Sequence, residues 1–344
     1  MSQSKALSFP INEHKEYFNF RKTGTYEKIS DIGEGTFGKV IQVKNINNNN
    51  EKNSNIFALK IGKRYAKANP YYGGDERSNE ALLTGFMELS ILKEISKIDS
   101  PYLIKYVDWK IDEEDKTTWT LMKYFPIDLR TYFNDNLSNF NAINETSFKN
   151  IAFQILSGLN SLHKNNIIHS DIKPDNILYD PQKNIIQITD FGLSHTFNFD
   201  IYHEYKVGGG TYSYLPPDIL LGNLFFFTSL DIWSLGCTLI ELCTGEIIFK
   251  GNNYLDVLEK IEDIFGSLKN LLPGYVTLTS KKKVNLNKKE DKGKGLINFI
   301  KVTQKFMFAN NDFYDLVSKM LCIDPVKRIN AEDAMNHRWF RSSS

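Results

Sequence analysis

Cysteine is nearly missing: Cys237, Cys243 and Cys322 are the three in 344 residues. An odd, sparse set makes neither a disulfide framework nor a four-ligand zinc site. It reads as buried thiols in a reducing compartment. Net charge is nearly missing too. Lys and Arg total 42 against 41 Asp and Glu, or +1 with His neutral. That balance argues against a protein built to neutralise a nucleic-acid backbone, so no direct nucleic-acid binding is expected, although it leaves room for a local patch. Residues 1–10 lack an apolar signal core. The most apolar stretch, residues 220–249, is interrupted by Asp231 and Glu241. A membrane span tolerates such charges poorly, so the stretch reads as a core helix with flanks and no membrane partner is expected. No internal repeat of about 20–50 residues is visible.

What is present is ordinary globular material. Hydrophobic residues are 41% and charged residues 24%, enough for a sizeable core and too apolar for wholesale disorder. The length suits about two domains or one bilobal unit. Residues 1–25 are polar and read as a tail or partial wrap. From Tyr26 to Ile32 the pattern turns β-like; a glycine loop and Val40-Ile-Gln-Val43 follow. The asparagine-rich run around residues 45–55 reads as a padded hairpin loop. Strand character resumes over residues 56–61, and a polar stretch with Pro70, Gly73 and Gly74 reads as a loop. Leu82, Phe86, Leu89, Leu92 and Ile95 recur at three- and four-residue steps and predict one face of a helix. Strands are expected at residues 103–109 and 117–123. After Asp128 the chain becomes mainly helical, with a clean stripe of Phe148, Ile151, Ile155, Leu159 and Leu162. A strand-rich first third and a helix-rich remainder predict an α+β, two-lobe arrangement.

Gly33-Glu-Gly-Thr-Phe-Gly38 contains G-x-G-x-x-G. A dinucleotide fingerprint needs a helix directly after it, and here a strand follows, so that reading fails. Glycines between two strands let backbone N–H groups approach a phosphate chain, although a flexible hairpin would look the same. Lys60 lies on the next strand. An acid could hold it over phosphates: Glu88, four residues before Leu92 and on the same helix face, is preferred to Glu80.

The decisive stretch is Ile168-His-Ser-Asp-Ile-Lys-Pro-Asp-Asn-Ile-Leu178. His169, Asp171, Lys173 and Asn176 are polar groups set between apolar ones. A structural turn needs one such group; four at these spacings need a chemical reason. Asp190-Phe-Gly192 follows a strand expected at residues 184–189. Asn176 and Asp190 are oxygen donors of the kind that hard Mg²⁺ requires.

These motifs, in this order, resemble those of eukaryotic protein kinases over residues 26–340. Pro216-Pro-Asp218 stands where Ala-Pro-Glu is usual, and Asp231-Ile-Trp-Ser-Leu-Gly236 is similar to the central helix signature. Asp324-Pro-Val-Lys-Arg328 resembles the segment whose arginine pairs with that Glu position, giving Asp218 and Arg328 as a structural pair. Asn336-His-Arg-Trp-Phe340 resembles the usual ending. The resemblance implies a bilobal protein-kinase fold. Residues 26–125 would form a β-rich N-lobe and hinge. Residues 126–340 would form a mainly helical C-lobe with a basic insertion within 267–311. Residues 1–25 and 341–344 would be tails, and ATP would sit at the seam of the lobes.

Roles follow from the same resemblance. The loop of Ile32, Gly33, Glu34, Gly35, Thr36, Phe37, Gly38, Lys39 and Val40 would cover the ATP phosphates. Lys60, tied by Glu88, would grip the α- and β-phosphates. Met122 would be the gatekeeper, with backbone groups of Lys123 and Phe125 binding adenine. Val40, Ala58 and Leu178 would sandwich its ring. Asp128 would either bind the ribose or cap a helix. Asp171 would take or orient the substrate hydroxyl proton, Lys173 would neutralise the γ-phosphate, and Asn176 and Asp190 would hold Mg²⁺. Lys173, with Thr211 bonding the catalytic pair, resembles the Ser/Thr class.

The departures carry expectations of their own. Ser170 replaces the arginine usual before the catalytic aspartate, and residues 197–210 contain no Ser or Thr. The two absences agree that Ser/Thr phosphorylation of this loop does not switch the protein on. Asp200 and Glu204 would supply fixed charge or simply be solvated, and Tyr202 and Tyr205 remain candidate modification sites. Residues 87–95, 249–253 and 261–266 resemble cyclin-dependent kinases, which implies a cyclin-like or other activating subunit beside protein substrates. Leu215 replaces an arginine typical of that group, and Leu83-Thr-Gly-Phe-Met-Glu88 departs from its cyclin-facing motif. Phe37 replaces an inhibitory tyrosine. The lysines of residues 281–294 would be a nuclear signal, an anionic-partner patch or a solvated loop, and the location is cytoplasmic or nuclear. A binding or scaffold protein on the same fold is the rival reading. It predicts loss of Lys60, Asp171, Asn176 or Asp190, and all four are present.

Overall fold

A computed structural model describes residues 16–35, 38–47, 55–63, 76–112, 117–136, 143–196, 212–222, 227–271, 295–303 and 310–341. The chain divides into two compact units, residues 1–82 with 106–124 and residues 83–105 with 125–344.

The first unit is an antiparallel six-stranded sheet. In chain order its strands are β1 (Tyr17–Phe20), β2 (Gly24–Gly35), β3 (Gly38–Asn45), β4 (Ile56–Gly62), β5 (Tyr106–Asp112) and β6 (Thr117–Lys123); in space the order is β1-β2-β3-β4-β6-β5. Alternation decides which side is buried. Ile41, Val43, Leu59, Trp119 and Leu121 project from one face into a core closed by Phe18, Phe20 and Tyr26. Thr23, between β1 and β2, donates to Asp108 on the opposite edge strand at 3.0 Å, so the sheet curls.

Two sequence expectations need correction here. Residues 17–20 are not tail: β1 pairs with β2, and its alternate aromatics Phe18 and Phe20 are buried. The strand expected at 103–109 starts three residues later, because Leu103 instead bridges in parallel to Ile188.

The helix α1 (Glu76–Ser96), which belongs to the second unit from Leu83 onward, buries Leu89, Leu92 and Ile95, but Phe86 is 43% exposed, so the apolar face is shorter than the spacing predicts. Helix α2 (Leu129–Asn136) is short. Helix α3 (Glu145–Lys164) starts at Asn144, whose side chain accepts from the Ser147 N–H. Its expected stripe is fully buried, from Phe148 to Leu162. The expected apolar core helix is α5 (Ser229–Thr244), following the single turn α4 (Pro217–Leu220). From Leu230 to Thr244 every residue of α5 is buried. Gly245 closes it at φ 72°, a left-handed position that favours glycine. Among the described residues no helix is long and apolar enough to cross a membrane.

Short strand pairs interrupt the helical part; the strand expected at residues 184–189 is among them, and the others are an addition to the sequence reading. β7 (Ile127–Asp128) and β10 (Ile185–Ile188) flank β9 (Ile177–Asp180), while β8 (Ile167–Ile168) pairs with β11 (His195–Thr196). Residues 169–176 therefore leave one strand and enter another, and both ends of that loop are pinned.

Candidate active site

The loop is built around a buried carboxylate on α5. Asp231 accepts the His169 N–H at 2.9 Å, the Ser170 N–H at 2.8 Å and a hydrogen bond with His163 Nε2 at 2.9 Å. Burial alone would raise its pKa, but the bonds and charge of His163, with those of His169, hold it below the ordinary range. To present its N–H to Asp231, Ser170 adopts φ 69°, which costs a non-glycine residue about 1–2 kcal/mol. His169 then points the other way: its Nε2 bonds the Thr189 carbonyl at 2.9 Å and its Nδ1 accepts the Asp171 N–H at 3.2 Å.

Asp171 is held from several sides. Its Oδ2 accepts Lys173 Nζ at 2.7 Å and Asn176 Nδ2 at 2.8 Å, and Asn176 also binds the Asp171 carbonyl at 2.8 Å. Its Oδ1 is buried with no hydrogen-bond partner among the described residues. A buried acceptor left open is costly unless something outside the chain uses it. Burial pushes the Asp171 pKa up, against the pull of Lys173. The site therefore offers one fixed acceptor with raised proton affinity beside a fixed ammonium.

Asp190 sits at φ 63°, just before the turn Phe191–Leu193, and its charge adds to the rise at Asp171. Asn176 turns its amide nitrogen toward Asp171, which directs its amide oxygen away. Among the described residues no group of three or more His, Cys, Asp or Glu could hold a metal. A sparse oxygen set of Asn176 and Asp190 fits Mg²⁺, which keeps waters and is shared with substrate phosphates.

In the first unit, Val40 lies opposite Lys60 and Ala58 opposite Met122. These four share the sheet face turned away from the core residues Ile41, Leu59 and Leu121. Lys39 pairs with Asp31 at 2.8 Å, and Ile32, Gly33, Glu34 and Gly35 are exposed. The three glycines differ in kind. Among the described residues a Cβ on Gly33 or Gly35 would meet nothing within 4 Å, whereas one on Gly38 would lie 2.2 Å from the Ile61 carbonyl oxygen, at φ 152°. The protein's own packing requires Gly38 but not Gly33 or Gly35. Close approach of a ligand is a reason for the other two.

Lys123 is exposed at the end of β6, and Phe125 and Leu178 are half-buried. Lys60 lies in the first unit; Glu88, buried on α1, lies in the second. Asp128 caps α2, with both oxygens bonded by Thr131 at 2.9 and 2.8 Å. Arg328 and Asp218 lie 3.5 Å apart, and Arg328 also donates to the Ser229 and Cys322 carbonyls. Thr36, Phe37 and Thr211 lie outside the described residues, as do residues 197–210 and 281–294.

Two features escaped the sequence reading. One is the clamp of Asp231 on the loop backbone. The other is a network of Arg130, Asp175, Tyr214 and Glu241. Their signal was two acids inside an otherwise apolar helix, which the sequence reading used against a membrane span and, for Asp231, in the resemblance to the central helix signature, without reaching either contact.

Comparison with known proteins agrees with this geometry. The protein kinase domain model matches residues 26–340. The chain is 29% identical to cyclin-dependent kinase B2-1 of Arabidopsis thaliana, over 92% of this chain and 93% of that one. It is 29% identical to cell division control protein 2 homolog 3 of Trypanosoma brucei brucei, over 92% and 91%. It is 32% identical to cyclin-dependent kinase 12 of Drosophila melanogaster over 93% of this chain, which spans 26% of that protein. On the family match and the loop that fixes Asp171, the chain belongs to the protein kinase family and is a Ser/Thr protein kinase of the cyclin-dependent-kinase-like type.

Proposed function

We propose that this protein transfers the γ-phosphate of ATP to Ser/Thr hydroxyls of protein substrates. The observation that carries the reading is the open, buried Oδ1 of Asp171, with Lys173 and Asn176 fixing its other oxygen. Oδ1 accepts the substrate hydroxyl proton, and Lys173 places positive charge beside the transferred group. Phosphoryl transfer depends mainly on positioning and charge neutralisation, and this loop supplies both. Asn176 and Asp190 would hold Mg²⁺, which neutralises phosphate charge when bound. By the family resemblance, Lys60 with Glu88 would grip the phosphates, and the glycine loop would cover them. On the same resemblance, Val40, Ala58 and Leu178 would sandwich the base, beside Met122 and the backbone of Lys123 and Phe125. Thr211 would bond the catalytic pair; Asp128, with both oxygens on Thr131, serves as the cap of α2.

A cyclin-like activating subunit belongs to the same proposal, supported by the names of the relatives, as does a cytoplasmic or nuclear location. The test is transfer of labelled γ-phosphate to a peptide library, followed by identification of the modified amino acid. Phosphoserine and phosphothreonine are expected. Label confined to tyrosine, or none with any candidate subunit added, would refute the reading. The same library decides whether Leu215 has removed proline-directed preference.

A further inference from the structure

Arg130, on α2, has no place in the roles above. Its guanidinium forks onto Asp175, Nε to Oδ1 and Nη2 to Oδ2, both at 2.8 Å. Nη2 also donates to the Tyr214 hydroxyl at 2.8 Å, and Nη1 bonds Glu241. Tyr214 in turn donates to Glu241 at 2.5 Å. Two carboxylates and a phenol thus surround one cation. Burial would raise the Asp175 pKa, but the fork holds it below the ordinary carboxylate range.

Asp175 and Asn176 are consecutive in the single turn Pro174–Asn176, and Asn176 binds Asp171 twice. Glu241 stands ten residues after Asp231 on α5, about 15 Å along its axis. The buried helix therefore grips the loop at two points: directly through Asp231, and through Arg130 from Glu241. We propose that Arg130 is a positioning residue for phosphoryl transfer. By bridging Glu241 to Asp175 it fixes the turn that aims Asn176, and through it the Asp171 carboxylate. Tyr214 ties the chain leading into Pro216-Pro-Asp218 to the same guanidinium. A planar fork is needed for this, and lysine has none.

The inference rests on the kinase reading, and the test separates the two. Wild type, Arg130→Lys, Arg130→Met, Asp175→Asn and the double variant Arg130→Met/Asp175→Asn are assayed with ATP, Mg²⁺ and a protein substrate, beside thermal unfolding. Arg130→Met should lower kcat by about 10- to 100-fold, with KM for ATP changed by less than about twofold. Arg130→Lys should recover part of the loss. Asp175→Asn leaves the Arg130–Glu241 contact in place, so it carries the test even if Arg130→Met unfolds, and it should lower kcat in the same way. The double variant should be no worse than Arg130→Met alone. Unchanged kcat in Asp175→Asn, or losses that track only the unfolded fraction, would overturn the role of Arg130. A folded wild type without transferase activity would instead overturn the kinase reading itself.

Discussion

Replacing Asp231 by Asn removes one charge from the deepest point of the loop. The carboxylate is fully buried and serves three donors: Ser170 N–H at Oδ1, and His169 N–H and His163 at Oδ2. An asparagine keeps one oxygen. In its better orientation that oxygen serves His169 and His163, and the amide nitrogen faces the Ser170 N–H. One buried N–H loses its acceptor, at about 1–3 kcal/mol, and two charge-assisted bonds become neutral, at about 0.5–1.5 kcal/mol each. Recovery of the carboxylate's desolvation offsets part of this, leaving about 2–4 kcal/mol. That is a large share of a typical stability of about 5–15 kcal/mol. Activity should fall further than stability predicts. Ser170 loses the bond that holds its φ of 69°, and Asp171 follows it in the chain. A displacement near 1 Å costs about 100-fold in rate. The pH dependence has a definite sign. Asp231 has a depressed pKa when folded, so its contribution is full above its unfolded value of 3.8 and is lost as pH falls through the lower folded value. Denaturant unfolding and kcat, measured from pH 7 downward, check both parts. A variant as stable and active as wild type at pH 7 would refute the reasoning.

The glycine contrast gives a second test. Gly38→Ala should destabilise the protein, and Gly35→Ala should leave melting within about 1 kcal/mol while weakening ATP binding, measured by calorimetry. Because burial raises the Asp171 pKa in the free protein, the acid limb of kcat/KM should lie above 3.8; a limb at or below 3.8 would contradict it. Cys237 and Cys243 are buried with thiol pKa values pushed up, Cys243 to about 12, so neither should alkylate in native protein at pH 7. Mass spectrometry after iodoacetamide treatment reads this directly.

Much of the fold was legible because its signals are periodic. The stripe from Phe148 to Leu162 and the alternation around Ile41, Leu59 and Leu121 each name a buried face. β1 was missed because it is only four residues long, Tyr17–Phe20, and sits in a polar stretch; pairing with Tyr26 and its neighbours, not local sequence, makes the strand. Phe86 misled for the opposite reason: spacing marks a helical face but not whether another element covers its end. In the site, residues that act within one loop, Asp171, Lys173 and Asn176, could be read together. Asp231 and Arg130 could not, because their partners lie 61 and 45 or more positions away. Such contacts are created by packing and leave no local spacing to read.

The central claim is that Asp171 makes this chain an active Ser/Thr kinase. The most direct measurement compares wild type with Asp171→Asn for γ-phosphate transfer to peptide and generic protein substrates, with folding and ATP binding measured on both. The account predicts serine and threonine phosphorylation by wild type, and loss of transfer in a variant that still folds and binds ATP. Equal incorporation by the two proteins would contradict it.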